Sequence, residues 1–411
     1  MRVFRCRRSV SRKLVVSLVI LAVVTLAVVK IRSILKKMLC SEEESRLMIK
    51  ELCKLYKTQN AAGNICPDLC ETYTLKYVSC TNYREGKKIL IMNWKGKKAV
   101  LKSKYAFKHD YDGLLFGEDV NKDLDLPVSE FLKMAQESIV YNIGHKMERN
   151  LQMLTDVWSL DFKDYINVPK SSHRHPKKTA MEDLWALIQQ QEYLFMKIFQ
   201  DKSKHIPRIY GTCGHAYLME HTPPGEFLDN DVPRVPMAKK ETWKKRAKIA
   251  LGLLDLLQSF QNDLPEEFNM CDIKGENFGL AEDETVKAID VDMAFLDSKL
   301  GMELLSVGNC TAHKDCDFFD CKGWCDLSEG QCTRNRINNN LQAVCKDIFL
   351  SGLDNIWHGL LSSPPLSIEQ ALLEEIEECA NPGNIQHPDI RYKASGQSLQ
   401  KIRTLIMKTL G

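Results

Sequence analysis

The stretch MCDIKGENFGL, residues 270–280, constrains this chain more than any other feature, because it sets Asp272 and Asn277 five positions apart beside glycines 275 and 279. Such an interval suits a loop that offers one acid and one amide to a single ligand, and phosphoryl transfer is the chemistry that most often requires that pair. Asp, Gly and Asn also form ordinary turns held by their own side chains. Position argues for the chemical reading. An apolar helix pattern ends about a dozen residues before Asp272, and the run VKAID begins nine residues after Asn277.

The order of the remaining residues fits the same chemistry, which needs a strand lysine, a helix glutamate to hold it, the Asp-x4-Asn loop and a second aspartate. Lys102 closes AVLK, residues 99–102, in the manner of the kinase V-A-I-K signature. Taken singly, Lys102 reads rather as a snorkelling surface lysine beside Lys97, Lys98 and Lys104, and only its place in the ordered set argues for the chemical role. Glu192 lies in EDLWALIQQQEYLFMKIFQ, whose Leu184, Leu187, Ile188, Tyr193, Leu194, Phe195 and Ile198 follow helical spacing and predict one long helix. The second aspartate is Asp290, with Asp292 as its alternate. Both flank Val291 in VKAIDVDMAFL, which reads as one strand.

Flanking segments place the sheet and helices. KKILIMNW and KKAVLKSKY predict a hairpin across a tight turn, IPRIYGTCG and HAYLMEH predict two more strands, and ETWKKRAKIALGLLDLLQSF predicts a core-facing helix. Residues 110–180 read as an insertion with a helix at VSEFLKMAQESIVYNI, and two amphipathic helices are expected in the tail. Within the insertion, DVNKDLDLPVSE sets Asp119, Asn121, Asp123, Asp125 and Glu130 at the oxygen positions of a calcium loop. Leu124 stands where such a loop turns on glycine.

The N-terminus adds a membrane signal. MRVFRCRRSVSRK is followed by sixteen uncharged residues, LVVSLVILAVVTLAVV, and then by Lys30, Arg32, Lys36 and Lys37. With Ile31, Ile34 and Leu35 the segment is long enough for a tilted crossing, and no small-x-small site precedes a polar stretch, which favours an uncleaved anchor over a signal peptide. Six basic residues before the span and four after it orient the N-terminus to the cytosol and the bulk of the chain to the lumen.

Of fifteen cysteines, one precedes the span and fourteen follow. Their dense clusters, Cys40–Cys80 and Cys310–Cys345, read as disulfides of an oxidising compartment, since neither cluster holds a Cys-x2-Cys pair with partnering histidines for zinc. The Asn309-Cys310-Thr311 sequon agrees with a lumenal setting. A net charge of +3 provides no field for nucleic acid.

The anchor, CPDLCETYTLKYVSC, WALIQQQEYLFMKIFQDK, RAKIALGLLD, the MCD-x4-N loop and the C-x5-C-x4-C-x3-C-x6-C block together resemble the divergent protein kinase domain family of cysteine-rich type II membrane proteins of the endoplasmic reticulum. The resemblance implies an α+β, bilobal kinase-like fold: a basic tail (1–13), anchor (14–35), cysteine-rich stem or cap (36–84), sheet-containing N-lobe (85–222) and helical C-lobe (223–411) with its cysteine block at 310–345. It implies endoplasmic reticulum residence, with the Golgi as the alternative, and ATP with magnesium or manganese as cofactor. Lys102, Glu192 and Asp272 would be catalytic and Asn277 with Asp290 or Asp292 would hold metal. A lumenal protein or glycan would be the acceptor. The alternative is a pseudokinase scaffold, possessing the fold without transfer and responsive to calcium. Its motivation is plain in the residues: no G-x-G-x-x-G precedes Lys102, Met270-Cys271 replaces His-Arg, and Asp290-Val291-Asp292 replaces D-F-G.

Overall fold

The computed structural model describes residues 41–83, 86–114, 127–144, 157, 176–223, 239–350, 359–383 and 393–411. The expected anchor at 14–35, and Asp119, Asn121, Asp123 and Asp125 of the calcium-loop pattern, lie outside the described residues. Among the described residues no helix is long and apolar enough to cross a membrane.

The N-terminal part is built on a five-stranded antiparallel sheet in the order β1-β2-β3-β5-β4. Its strands are β1 (Leu75–Asn82), β2 (Lys88–Trp94), β3 (Lys97–Ser103), β4 (Ile209–Cys213) and β5 (Ala216–Glu220). The expected hairpin forms in full register, Trp94 opposite Lys97 and Lys88 opposite Ser103. Lys95 and Gly96 both take positive φ at its turn, the conformation a two-residue connection demands.

The stem is more than a stapled cap. It donates β1 to the sheet, and its helix α1 (Glu42–Lys57) buries Met48 and Leu52 against Leu90, Leu101 and Leu218. A short helix α2 (Cys66–Cys70) follows it. Cys53–Cys70 staples the two helices, and Cys66–Cys213 ties the stem to β4 across 147 residues. Cys80 is also disulfide-bonded.

Helix α3 (Val128–Ile143) forms where its periodicity predicts, burying Phe131, Ala135 and Ile139. The single long helix expected around Glu192 is instead two, α4 (Pro176–Ile188) and α5 (Gln191–Phe199). The break lies at two glutamines whose side chains compete for backbone groups. Gln190 donates to the carbonyls of Ala186 and His215 and accepts from Lys104 N, while Gln189 donates to Asp112 O.

The C-terminal part centres on α6 (Lys239–Asn262), which buries Trp243, Ala247, Ala250, Leu254 and Leu257 at the predicted steps. Two small ribbons follow: β6 (Phe268–Met270) pairs with β9 (Ala294–Leu296), and β7 (Phe278–Leu280) pairs with β8 (Val286–Ala288). VKAIDVDMAFL is therefore not one strand. It is β8, a turn carrying both aspartates, and β9. Next come α7 (Asp297–Ser306), the hairpin β10 (Gly323–Asp326) and β11 (Gln331–Arg336), and the two tail helices, α8 (Glu369–Ala380) and α9 (Gly396–Met407).

Candidate functional site

Three pieces of chain meet where the sheet faces the two ribbons. Lys102 is the penultimate residue of β3, opposite Tyr217 of β5, and the pleat sends its side chain towards α5. Its Nζ donates to Glu192 Oε1 at 2.8 Å and to the carbonyl of Ile289 at 2.8 Å. Glu192 stands in the first turn of α5 and is 1% exposed. Tyr217 donates to the same Oε1 at 2.7 Å. Burial alone would push the Glu192 carboxyl up. The ammonium groups of Lys102 and Lys87 outweigh that and hold it at about 2.

Ile289 also joins the aspartate turn to the Asp-x4-Asn loop, since its N–H donates to the Asn277 carbonyl at 2.8 Å, one step beyond the Phe278–Ala288 pair. Asn277 is buried, and its Nδ2 donates to Asp272 O at 2.7 Å and to Asp272 Oδ2 at 3.0 Å. Those bonds commit the amide nitrogen and leave Oδ1 as the acceptor for a cation. Lys274 pairs with Asp272 Oδ2 at 2.8 Å, a contact that raises the lysine above its usual range. Gly279 lets β7 lie against the chain leaving β5: a Cβ there would sit 2.1 Å from Thr222 O.

Asp290 and Asp292 need not be ranked, because the turn brings both to one point. Glu192, Asp290 and Asp292 each place a carboxylate oxygen within 4.8 Å of the others, a spacing that fits a divalent cation. Lys87, from the connection between β1 and β2, lies among them. Its Nζ is 3.0 Å from Asp290 Oδ1 and 3.0 Å from Asp292 Oδ2, and it donates to Glu192. Burial would lower the Lys87 ammonium, but Glu192, Asp292 and Asp290 together hold it above its usual range. Burial raises Asp292, and the neighbouring Glu192 charge adds to that rise.

The loop is braced from the far side. Cys271, which stood apart from both clusters, is bonded to Cys321, and Asp320 takes the Ile273 N–H at 2.6 Å while donating its own N–H to Cys271 O at 2.9 Å. The cysteine block thus holds both neighbours of Asp272. Two further bridges, Cys310–Cys325 and Cys316–Cys332, close the block on itself, and Cys345–Cys379 ties it onward to α8. On the other flank, Phe195 of α5 stacks on Phe268 of β6 with centroids 3.8 Å apart, coupling the Glu192 helix to the strand that leads into Asp272.

Lys102, Glu192, Asp272, Asn277, Asp290 and Asp292 are thus linked through direct contacts and the shared residue Ile289. Lys87, Lys274 and Tyr217 are members that sequence reasoning did not name. The doubled lysine opening KKILIMNW was the available signal for Lys87. Of the calcium-loop pattern only Glu130 is described, exposed in the first turn of α3. A cavity of about 690 Å³ lined by Leu52, Lys108, Tyr111, Trp185 and His215 lies elsewhere and shares no residue with this cluster.

A strand lysine paired to a helix glutamate, beside an Asp-x4-Asn loop and a second acid on the following ribbon, is the arrangement of a protein-kinase-like domain. The chain matches two family descriptions, "Protein-kinase domain of FAM69" over residues 184–382 and "N-term cysteine-rich ER, FAM69" over residues 5–158. Together the matches span most of the sequence, and the chain belongs to the FAM69 family.

Proposed function

We propose that this protein is a membrane-anchored phosphotransferase of the endoplasmic reticulum lumen that uses ATP with magnesium or manganese. The observation that carries the proposal is the buried Lys102–Glu192 pair, joined through Ile289 to the turn of Asp290 and Asp292 and to Asn277. The bound nucleotide and cation would supply the transferable phosphoryl group and neutralise its developing charge. Lys102 binds phosphate oxygens and Glu192 fixes its direction. Asn277 Oδ1 with Asp290 or Asp292 holds the cation. Asp272 accepts the proton of the acceptor hydroxyl, and Lys274 keeps a positive charge beside the point of transfer. The acceptor is a secretory-pathway protein or glycan. Lumenal residence is supported by the six described disulfide pairs and by the endoplasmic reticulum description of the matching N-terminal family.

A second reading, a pseudokinase that presents the disulfide-braced fold to a partner, is favoured by one observation. The Lys87 ammonium sits among the oxygens that a cation would use. The two readings separate on Asp272→Ala in the oxidised full chain. A phosphotransferase loses transfer by about a hundredfold or more, as general-base loss implies. If residual transfer is unchanged by the substitution, the phosphotransferase reading fails.

A further inference from the structure

Lys87 is an unusual neighbour for a cation site. Three carboxylates, Glu192, Asp290 and Asp292, face two ammonium groups, Lys87 and Lys102, so the cluster carries one net negative charge. Lys102 reaches only Glu192 among the three acids. Lys87 reaches all three, and only 14% of its side chain remains exposed. Its ammonium lies 3.0 Å from one oxygen of each aspartate in the carboxylate trio that a divalent ion would need. Two positive centres drawn to the same pair of carboxylates repel each other, even though Asp290 and Asp292 keep 37% and 44% of their side chains exposed. The ammonium and the metal therefore compete for one seat.

Where Lys87 is rooted matters as much. It belongs to the connection between β1 and β2, whose backbone lacks the G-x-G-x-x-G that would otherwise donate N–H groups to phosphates. A long side chain there reaches into the cluster or, by rotation about its own bonds, out towards a ligand held against the sheet.

We propose that Lys87 is a built-in counter-ion that holds the cation seat of Asp290 and Asp292 until a nucleoside triphosphate draws its ammonium away, making metal occupancy conditional on nucleotide. The triphosphate supplies the competing negative charge, and Lys87 replaces the missing backbone donors as a side-chain ligand for it. The inference rests on the reading of Asp290 and Asp292 as cation-holding acids.

The test uses the full chain, kept oxidised, titrated with manganese alone and followed by the electron paramagnetic resonance of free Mn²⁺. Lys87→Met and Lys87→Gln remove the ammonium and are expected to bind manganese at least tenfold more tightly than the parent protein. Lys87→Arg retains the charge and is expected to match the parent. Adding Asp292→Asn to Lys87→Met should abolish the gain. Equal manganese affinity in parent and Lys87→Met overturns the proposal, as does the absence of binding in both ammonium-free variants. Failure of both variants to fold also overturns it, because Lys87 would then be a permanent structural partner. Failure of the parent to bind ATP with manganese would sink the phosphotransferase reading and the nucleotide-driven release of Lys87 with it, whereas equal manganese affinities beside intact ATP binding would sink the counter-ion role alone.

Discussion

Replacing Glu192 by glutamine removes one charge from the centre of the cluster while keeping its shape. The carboxylate is 1% exposed and accepts from Lys102, Lys87 and Tyr217. Its folded pKa is about 2 against an ordinary 4.5, because two ammonium groups outweigh the burial that opposes them. That depression corresponds to about 3 kcal/mol in favour of the ionised form. Breaking a buried pair costs about 3–5 kcal/mol by a separate route, since the partners left behind are uncompensated. Glu192→Gln is therefore expected to lower stability by about 3 kcal/mol at pH 7. The pH dependence has a definite sign. A carboxyl whose folded pKa is depressed contributes stability above about 4.5 and loses it as pH falls towards 2. The gap between parent and variant should narrow over that window. Urea unfolding of the oxidised proteins from pH 7 down to pH 3 measures it. A variant within about 0.5 kcal/mol of the parent at pH 7, the scatter of ordinary surface changes, would refute the argument. So would a gap that stays constant with pH.

Three other outcomes follow from the same structure. Changing both Cys66 and Cys213 to serine opens a loop of 147 residues, and chain-entropy reasoning gives a loss of about 5 kcal/mol, read by urea unfolding; a loss below about 1 kcal/mol would contradict it. Gly279→Ala forces a Cβ to 2.1 Å from Thr222 O, so the mutant should unfold at lower urea and lose nucleotide affinity together; a parent-like mutant would show that the two strands separate freely. Asp183 is fully buried, and burial raises it to about 6 despite its pairing with Lys108. Its contribution to stability should therefore grow as pH falls from 7 through 6 towards 4, by up to about 3 kcal/mol relative to Asp183→Asn, and a flat difference between the two proteins would count against it.

The candidate site was legible in the sequence where chemistry depends on local spacing. Asp272 and Asn277 hydrogen-bond each other directly, so a five-residue interval records their relation. Lys102 and Glu192 are 90 residues apart and were legible only through the order of elements between them. Lys87 leaves no trace of spacing or order: its contacts run 105 residues to Glu192 and 203 to Asp290, and they depend on tertiary packing that brings the start of β2 beside the acids. The helix break at Gln189 and Gln190 was hidden for a related reason. Apolar periodicity continues through both residues, while the bonds that end the first helix go to His215 O and Asp112 O, far away in sequence. The run around Asp290 looked like one strand because its residues alternate. Pairing of β8 with β7 and of β9 with β6 divides it, and the turn between them is what lets both aspartates face one lysine.

The central claim is that these groups form a metal-dependent nucleotide site. Isothermal titration of the oxidised full chain with ATP, with and without manganese, tests it most directly when the parent is run beside Lys102→Met. The account predicts saturable binding that requires the metal and weakens at least tenfold in Lys102→Met, the loss that removal of one charge-assisted hydrogen bond of about 1.5–3 kcal/mol produces. Heat signals identical with and without manganese, or equal affinity in the two proteins, would contradict it.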